Sequence, residues 1–213
     1  MDPLESRNRS IYAFNENVDE TILEPAADGY DYITPNFLQK GFNNFFDNIN
    51  YPVTIINQVL QGNIGGSLQD TLRFTINSSI GLLGLFDPAS SMGLPEHDED
   101  FGQTLAVWGI KEGPYLMLPF FGPKTLRSLA GDLTDVLFNP LLNIDDTNLK
   151  MKANIINILQ DRSDLSTLEE ELDNSFDPYQ YIKDSYIQNR KYKINNGDIT
   201  EDDEEVDFDF DDF

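Results

Sequence analysis

The stretch FNNFFDNINYPVTIINQVLQG, residues 42–62, shows the organisation that recurs along this chain. Its apolar residues, together with Leu38, return every three or four positions, and asparagine and aspartate occupy many of the positions between them. This spacing places the apolar residues on one face of an α-helix. Because Pro52 lacks a backbone donor, we expect it to open a second, short helix that ends at Gly62.

The helical period continues on both sides of this stretch. We expect Thr34 and Ser67 to cap two helices, and Asp177 with Pro178 to begin a last helix that is closed by residues 195–197. A longer helical pattern covers residues 146–172. Further apolar residues at helical spacing are Leu4, Ile11, Phe14, Val18, Ile22, Leu68, Leu72, Ile76, Leu126, Leu129, Leu133 and Leu137. The expected fold class is therefore all-α.

The composition changes between residues 74 and 123. Residues 74–86 and 101–110 carry no charge, and neither does GPYLMLPFFGP, residues 113–123, which contains three prolines. Pro119 excludes a long helix or a central strand there, and the segment is too short to span a bilayer, which takes about 20 helical residues. We therefore expect an irregular Gly/Pro-rich middle in which strands occur only as short hairpins.

The chain is strongly acidic. Its 213 residues include 38 Asp or Glu and 14 Lys or Arg, which gives a formal net charge of −24 at pH 7. Ten of the acidic residues lie in residues 198–213, so we expect a disordered acidic tail after a single helical domain of residues 1–197. The acidity disfavours nucleic acid and electrostatic adsorption to anionic lipid, because both depend on Lys and Arg. A membrane contact would have to be apolar.

Few residues suit catalysis or metal binding. The chain has no cysteine, and its one histidine, His97, lies in an acidic loop where we expect it to be solvated. A G-x-S-x-G motif and calcium-loop spacing are both absent, and one histidine does not make a zinc site. We expect no enzyme, no cofactor and no metal. Residues 1–10 also lack the apolar segment of a signal peptide, so none is expected within this chain.

Apolar side chains that need a partner remain. Phe42, Phe45 and Phe46, at helical spacing, are most simply explained as core. The uncharged middle is longer and more irregular than a compact helical domain needs to fill its core. Two explanations stay open for it: ordinary burial, or contact with lipid tails and a path for an amphiphile.

Five segments in sequence carry a resemblance that covers most of residues 2–194. They resemble the characteristic motifs of the MlaA/VacJ family of outer-membrane lipoproteins, with Lys183 where that family has an arginine. The segments are DPLESRNRSIYAFN (2–15), FNNFFDNINYPVTIINQVLQG (42–62), DTLRFTINSSIGLLGLFDPAS (70–90), EDFGQTLAVWGIKEGPYLMLPFFGPKTLR (99–127) and SFDPYQYIKDSYIQNR (175–190).

The resemblance implies a ring-shaped helical lipoprotein at the periplasmic face of the outer membrane. Its implied function is to remove mislocalised phospholipid from the outer leaflet through a central amphipathic channel and pass it to a soluble periplasmic carrier, which maintains lipid asymmetry. It also implies association with trimeric porins. The lipobox cysteine is missing from this chain, and Met1 stands about where the mature N-terminus of such a lipoprotein would be.

The uncharged segments supply the residues that we expect to touch lipid, because they mix Leu and Phe with Asn, Ser, Thr and Gln. Gly109 and Gly113 are expected to act as a hinge that lets residues 115–121 move as a gate; the alternative is that both glycines only satisfy turn geometry. The candidate lipid and channel residues are Asn44, Phe45, Phe46, Phe74, Leu82, Leu83, Leu85, Phe86, Trp108, Tyr115, Leu116, Met117, Leu118, Phe120 and Phe121.

Two other functions stay open. A lipid-cleaving enzyme would also have an apolar cleft, but its nucleophile and base should be visible in the sequence. A soluble acidic helical interaction protein, without lipid transport, would dock its uncharged middle on a partner helix. That hypothesis predicts good solubility without detergent and no lipid in the preparation.

Overall fold

A computed structural model describes residues 2–140, 147–165, 172 and 174–197 of the chain. These residues form helices and one antiparallel hairpin, which confirms the expected mainly α-helical fold. The predicted acidic tail, residues 198–213, lies outside them. The elements are α1 (Glu5–Val18), α2 (Glu24–Ile33), α3 (Asn36–Leu60), α4 (Ile64–Ser79), α5 (Pro88–Ser91), α6 (Phe101–Val107), β1 (Tyr115–Leu118), β2 (Gly122–Thr125), α7 (Leu126–Asp135), α8 (Thr147–Leu165) and α9 (Pro178–Ile194).

A π-helical turn, Asp19–Leu23, joins α1 to α2 without a loop. The amide of Glu24 donates to the carbonyl of Asp19, which is the five-residue spacing that defines such a turn. Of the apolar residues on the predicted face of α1, Leu4 and Phe14 are exposed, whereas Ile11 is half-buried and packs against the hydrophobic cluster of Tyr115, Met117 and Tyr179. The buried residue of this helix is Asn8, so α1 contacts the rest of the protein through both apolar and polar side chains.

α3 is one continuous helix of 25 residues, so the prediction of a separate helix opening at Pro52 is wrong. Proline in a helix removes one hydrogen bond, but its φ angle is helical. Tyr51 and Thr54, on either side of it, are both buried, and α3 packs along α4 over its length. Tertiary packing thus outweighs the local cost of the proline.

Two predicted helix starts are also displaced. Pro35, not Thr34, is the residue before α3. Asn63, not Ser67, caps α4, since its Oδ1 accepts a hydrogen bond of 3.0 Å from the amide of Gly66. Ser67 lies buried inside the first turn. Both errors have the same cause, because several capping residue types stand close together at each helix start.

The last helix follows the sequence prediction closely. Asp177 caps α9 by accepting from the amide of Gln180, and Pro178 occupies the first helical position. After the helix, Asn196 and Gly197 have φ of 53° and 86°, the left-handed conformation that commonly ends a helix.

The segment GPYLMLPFFGP forms the hairpin β1–β2, with Pro119 in its turn and Pro123 opposite Met117. The outer edge of β1 pairs with two asparagine side chains of α1 instead of a third strand. Asn8 accepts from the Met117 amide (3.0 Å) and donates to the Tyr115 carbonyl (3.2 Å). Two turns further along α1, Asn15 repeats this pattern with the backbone of residues 118 and 120. These contacts satisfy a strand edge that would otherwise be open.

Many of the largest buried side chains are polar, and many large apolar side chains are exposed. The largest fully buried side chains within the described residues are Arg73, Tyr179, Gln58, Gln103, Gln160, Asn8, Asn57, Thr104 and Asp70. Apolar side chains that are at least 70% exposed include Tyr32, Ile33, Phe37, Leu83, Phe120, Phe121, Leu137 and Phe176. So large an apolar exterior indicates an apolar partner. In the part of the chain that the structure describes, no helix has both the length and the apolar character needed to cross a bilayer.

Candidate functional site

A cleft of about 660 Å³ lies between α3 and the segment that leads from α4 through α5. This volume is in the range of small-molecule sites, about 300–1,000 Å³. The contributions of α3 are residues 37, 40, 41 and 44, whose spacing puts them on one helix face. The complete lining is Phe37, Lys40, Gly41, Asn44, Ile80, Leu85, Phe86, Asp87, Pro88, Ser90 and Ser91.

One wall of the cleft is apolar. It consists of Phe37, Ile80, Leu85 and Phe86, and their side chains are 73%, 66%, 40% and 61% exposed. These exposed fractions show that the wall is not filled by the protein's own core. An apolar ligand would remove this surface from water, at about 25 cal/mol for each Å² covered.

A strained turn builds this wall. Leu82 and Leu83 have φ of 53° and 62°, a conformation that costs an L-residue roughly 1–2 kcal/mol. The Leu83 amide donates to the Ser78 carbonyl (3.0 Å), and Asn44 Nδ2 donates to the Leu85 carbonyl (3.2 Å). The turn is therefore held to both α4 and α3, and it presents its apolar side chains outward.

Most of the remaining lining is polar and is called the polar wall. Its polar side chains are Lys40, Asn44, Asp87, Ser90 and Ser91. Asp87 Oδ1 accepts from the Ser90 amide (3.0 Å) and from Asn77 Nδ2 (2.9 Å). The cleft lining thus combines apolar and polar side chains, as the binding of an amphiphile requires.

Arg73 lies behind the polar wall and contacts two of its residues, Asp87 and Ser90. It is 2% exposed and donates to Tyr51 Oη (2.5 Å), Ser90 Oγ (3.0 Å), the Leu94 carbonyl (2.7 Å) and Asp87 Oδ2 (3.0 Å). A buried guanidinium needs such partners, because an unpaired buried charge is very costly. The guanidinium of Arg73 is therefore fully engaged by groups of the protein itself.

The pKa values of Asp87 and Tyr51, which both accept hydrogen bonds from Arg73, shift in opposite directions. Burial raises the pKa of Asp87, but hydrogen bonds from Ser90 and Asn77 and the charge of Arg73 outweigh it, and the pKa is lowered. Burial raises the pKa of Tyr51 to about 12, against the opposing hydrogen bond from Arg73. At neutral pH, Asp87 is therefore ionised and Tyr51 is neutral.

A cavity of about 30 Å³ adjoins the cleft and shares Asn44 and Asp87 with it. This is room for about one water molecule. The rest of its lining is Asp47, Tyr51, Arg73, Asn77 and Glu96. The cleft therefore ends on a polar floor.

Three of the predicted lipid and channel residues line the cleft: Asn44, Leu85 and Phe86. The others are distributed over the molecule, and their contact with lipid stays a prediction. Exposed apolar side chains among them are Leu82, Leu83, Trp108, Phe120 and Phe121, whereas Phe46, Tyr115 and Met117 are buried and Phe45, Phe74, Leu116 and Leu118 are half-buried.

Seven side chains of the cleft lining were not predicted from the sequence: Phe37, Lys40, Ile80, Asp87, Pro88, Ser90 and Ser91. The face formed by positions 37, 40, 41 and 44 could have been found from its helical spacing. Only the tertiary fold shows that Ile80 and the two serines lie opposite that face.

The proposed hinge glycines both have left-handed backbone. Gly109 and Gly113 have φ of 85° and 76°, a conformation in which alanine would be strained. A Cβ on Gly113 would also stand 3.0 Å from Cβ of Leu126, whereas Gly109 has open space around it. Turn geometry requires both glycines, and their role in a gate stays a prediction.

His97 is not a solvated loop residue, contrary to expectation. Its Nδ1 lies 2.8 Å from Oδ1 of Asp70, which is fully buried in α4. The sequence could not show this contact, because 27 residues separate the two groups. Within the described ranges, no group of three or more His, Asp or Glu side chains could hold a metal ion.

The model of the MlaA lipoprotein family matches residues 1–193. This chain belongs to the MlaA lipoprotein family. It is 32% identical to the intermembrane phospholipid transport system lipoprotein MlaA of Escherichia coli (strain K12) over 203 residues, which are 93% of this chain and 80% of that protein. An uncharacterized protein of Rickettsia bellii (strain RML369-C) is 36% identical over 195 residues, which cover 91% of this chain and 76% of the relative.

The fold also matches a solved structure. That structure comes from work on the structural basis for maintenance of bacterial outer membrane lipid asymmetry. The match has a TM-score of 0.82 and 32% sequence identity, and it covers 92% of this chain and 100% of the solved one. At this identity and coverage, the mainly helical fold described above is the fold of the family.

Proposed function

We propose that this protein transports phospholipid in the outer membrane and thereby maintains lipid asymmetry there. In this proposal, a phospholipid that has entered the outer leaflet passes through an amphipathic channel, of which the cleft between α3 and the α4–α5 segment is a part. The observation that carries the proposal is this cleft, whose lining combines exposed apolar side chains with polar and charged ones. The family and its relatives' names supply the lipid class.

The apolar exterior supports a position in the membrane. Exposed side chains such as Phe37, Phe120 and Phe121 would be covered by acyl chains if the helices lie in the membrane plane. A helix bound in this way does not need basic residues, because its apolar area can supply the binding free energy. The same exterior argues against the soluble interaction protein, which would expose this surface to water.

The remaining steps are part of the proposal. The lipid leaves on the periplasmic side to a soluble carrier, the ring-shaped body lies at the periplasmic face, and trimeric porins hold it there. The transfer breaks no covalent bond, so the protein acts as a conduit and not as an enzyme. Gating by the segment of residues 115–121 would regulate this passage.

Filling the cleft tests the proposal. Gly41 lines the cleft on α3, and a Cβ there meets only ordinary contacts, at 3.6 Å from the Leu85 carbonyl. Gly41→Trp should therefore block the cleft without breaking the helix. Gly29→Trp is the matched control, because Gly29 is also helical, has open space around it and lies outside the cleft.

The assay uses liposomes that contain the protein and enclose albumin as a lipid acceptor. A short-chain fluorescent phosphatidylethanolamine is added to the outer leaflet, and its arrival on the enclosed albumin is followed. We expect wild type and Gly29→Trp to accelerate arrival over empty liposomes, and Gly41→Trp to abolish the acceleration. Equal rates with wild type and with empty liposomes would contradict the proposal.

A further inference from the structure

We infer that Lys40 binds the phosphate of the phospholipid in the cleft, with the Ser91 hydroxyl as a second donor. This inference rests on the proposed function and adds to it the group that holds the headgroup. It assigns an anchoring and orienting role to one lysine of α3 that lines the cleft.

Lys40 is exposed and free to bind a ligand. In the described part of the chain, its ammonium group forms no ion pair or hydrogen bond. Other cations of the protein are used differently: Arg9 pairs with Asp177, Arg162 with Asp19, and Arg190 with Asp100. Lys111 is also unpaired within the described residues but lies outside the cleft, so Lys40 is distinguished by its position in the cleft lining.

Asp87, the other charged side chain of the cleft lining, does not neutralise the positive charge of Lys40. Asp87 Oδ1 accepts from the Ser90 amide and from Asn77, and Oδ2 accepts from Arg73 and the Ser90 hydroxyl. The negative charge of Asp87 is therefore balanced by Arg73. The net charge that the cleft presents to a ligand is the positive charge of Lys40.

The position of Lys40 also fits an amphiphile. Phe37 lies three residues before it on the same face of α3 and belongs to the apolar wall, while Asn44 lies one turn after it and belongs to the polar floor. An ammonium at this boundary can hold a phosphodiester while acyl chains lie against the apolar wall. Ser91 offers a hydroxyl that forms no hydrogen bond within the described residues.

The test compares ligands that differ only in the phosphoglycerol headgroup. Binding of phosphatidylglycerol and of diacylglycerol with the same acyl chains is measured on the full chain in detergent, for wild type, Lys40→Gln, Lys40→Arg and Lys111→Gln. Lys111 is the matched control, because it is an exposed lysine outside the cleft that forms no ion pair within the described residues. Inorganic phosphate is added as a competitor.

We expect Lys40→Gln to weaken the binding of phosphatidylglycerol about tenfold or more. This is the loss of affinity that follows from removing one hydrogen bond between charged groups. Diacylglycerol binding should stay unchanged, and Lys40→Arg and Lys111→Gln should bind as wild type does.

A Lys40→Gln protein that still prefers phosphatidylglycerol by the wild-type factor would overturn the inference. Complete displacement of the lipid by millimolar inorganic phosphate would also overturn it, since the site would then be a general anion site. Failure of wild type to bind either lipid would instead overturn the proposed function itself.

Discussion

Arg73 on α4 donates from Nη2 to Oδ2 of Asp87, 3.0 Å away, and this ion pair joins the helix to the start of α5 behind the polar wall of the cleft. Arg73 is 2% exposed on its side chain and Asp87 is 21% exposed. The pair thus orders the α4–α5 segment, and it also removes from the cleft the charge that would oppose Lys40.

Loss of Arg73 should therefore be costly. Arg73→Leu leaves Asp87 without its counter-charge and leaves Tyr51 Oη and the Leu94 carbonyl without their donor. We expect the free energy of unfolding to fall by about 3–5 kcal/mol. Lys124→Gln is the control, because the Lys124–Asp132 pair is partly exposed and such pairs contribute about 0–1 kcal/mol. Equal losses in the two variants, measured by denaturant unfolding, would contradict the role assigned to Arg73.

The hairpin should depend on an asparagine of α1. Asn8→Leu removes the side-chain bonds to the Met117 amide and the Tyr115 carbonyl, both buried. We expect a loss of about 1–3 kcal/mol for each backbone group left unpaired. Asn17→Leu, an exposed position of the same helix, should change the melting temperature little. A stable Asn8→Leu protein with slow amide exchange at Met117 would show that another group replaces the asparagine.

The crossing of α6 and α7 should not tolerate a methyl group. A Cβ at Gly131 would stand 2.3 Å from the backbone nitrogen of Gly102, so the helices would have to separate. We expect Gly131→Ala to cost about 1–3 kcal/mol, as overpacking does. Gly29→Ala has no neighbour within 4 Å and should stabilise α2 by up to about 1 kcal/mol. The comparison fails if both alanines have the same effect on thermal unfolding.

Stability should depend on pH through Glu99, which is 5% exposed. Burial raises its pKa; the hydrogen bond from Gln61 opposes the shift, and the charges of Asp100 and Asp98 add to it. Because the folded-state pKa lies above the unfolded one, the folded protein holds this proton more tightly. This stabilisation is present at low pH and is lost as pH rises through the folded pKa.

Glu99→Gln tests that dependence. Glutamine can still accept from Gln61 and carries no charge, so the variant should gain stability relative to wild type between about pH 4 and about pH 7. Glu20→Gln, an exposed change, should follow wild type at both values. A Glu99→Gln protein whose difference from wild type shrinks towards neutral pH would contradict the sign of the shift.

The domain boundary after residue 197 stays a prediction. Gly197 is the last residue that the structure describes, and it belongs to the turn that closes α9. A Cβ at Gly197 would contact Tyr192. We expect a chain truncated after residue 197 to melt within a few degrees of the full chain, because an acidic segment without apolar periodicity does not pack stably. A fall of many degrees would show that residues 198–213 belong to the fold.

Local sequence patterns predict the secondary-structure elements better than they predict the tertiary contacts between those elements. The cap of α9 at Asp177 and its closing turn at residues 195–197 follow from residue types that lie next to one another. Pro52 was misjudged because the packing of α3 on α4 overrides a local signal. The pairing of Asn8 with Met117 could not be predicted, since 109 residues separate them in the chain.

The candidate site was predictable only in part for the same physical reason. Leu85 and Phe86 stand in the uncharged segment 74–86, whereas Asn44 stands in the stretch 42–62 that resembles the family. Lys40 could not be predicted, because one lysine in an acidic chain gives no periodic signal. The outward direction of the apolar side chains also reverses the usual assumption that a helix buries its apolar face.

The most direct test of the central claim is photo-crosslinking from inside the cleft. A benzophenone side chain replaces Phe86 in one protein and Leu133 in another; Leu133 is exposed on α7, outside the cleft. Each protein is mixed in detergent with a labelled phospholipid and increasing unlabelled phospholipid. The account predicts labelling at position 86 that is competed away and that is lost when Gly41→Trp is added, and weak, non-competed labelling at position 133. The contradicting result is labelling at position 86 that unlabelled phospholipid does not reduce, as expected at position 133. That result would show that the cleft holds no phospholipid.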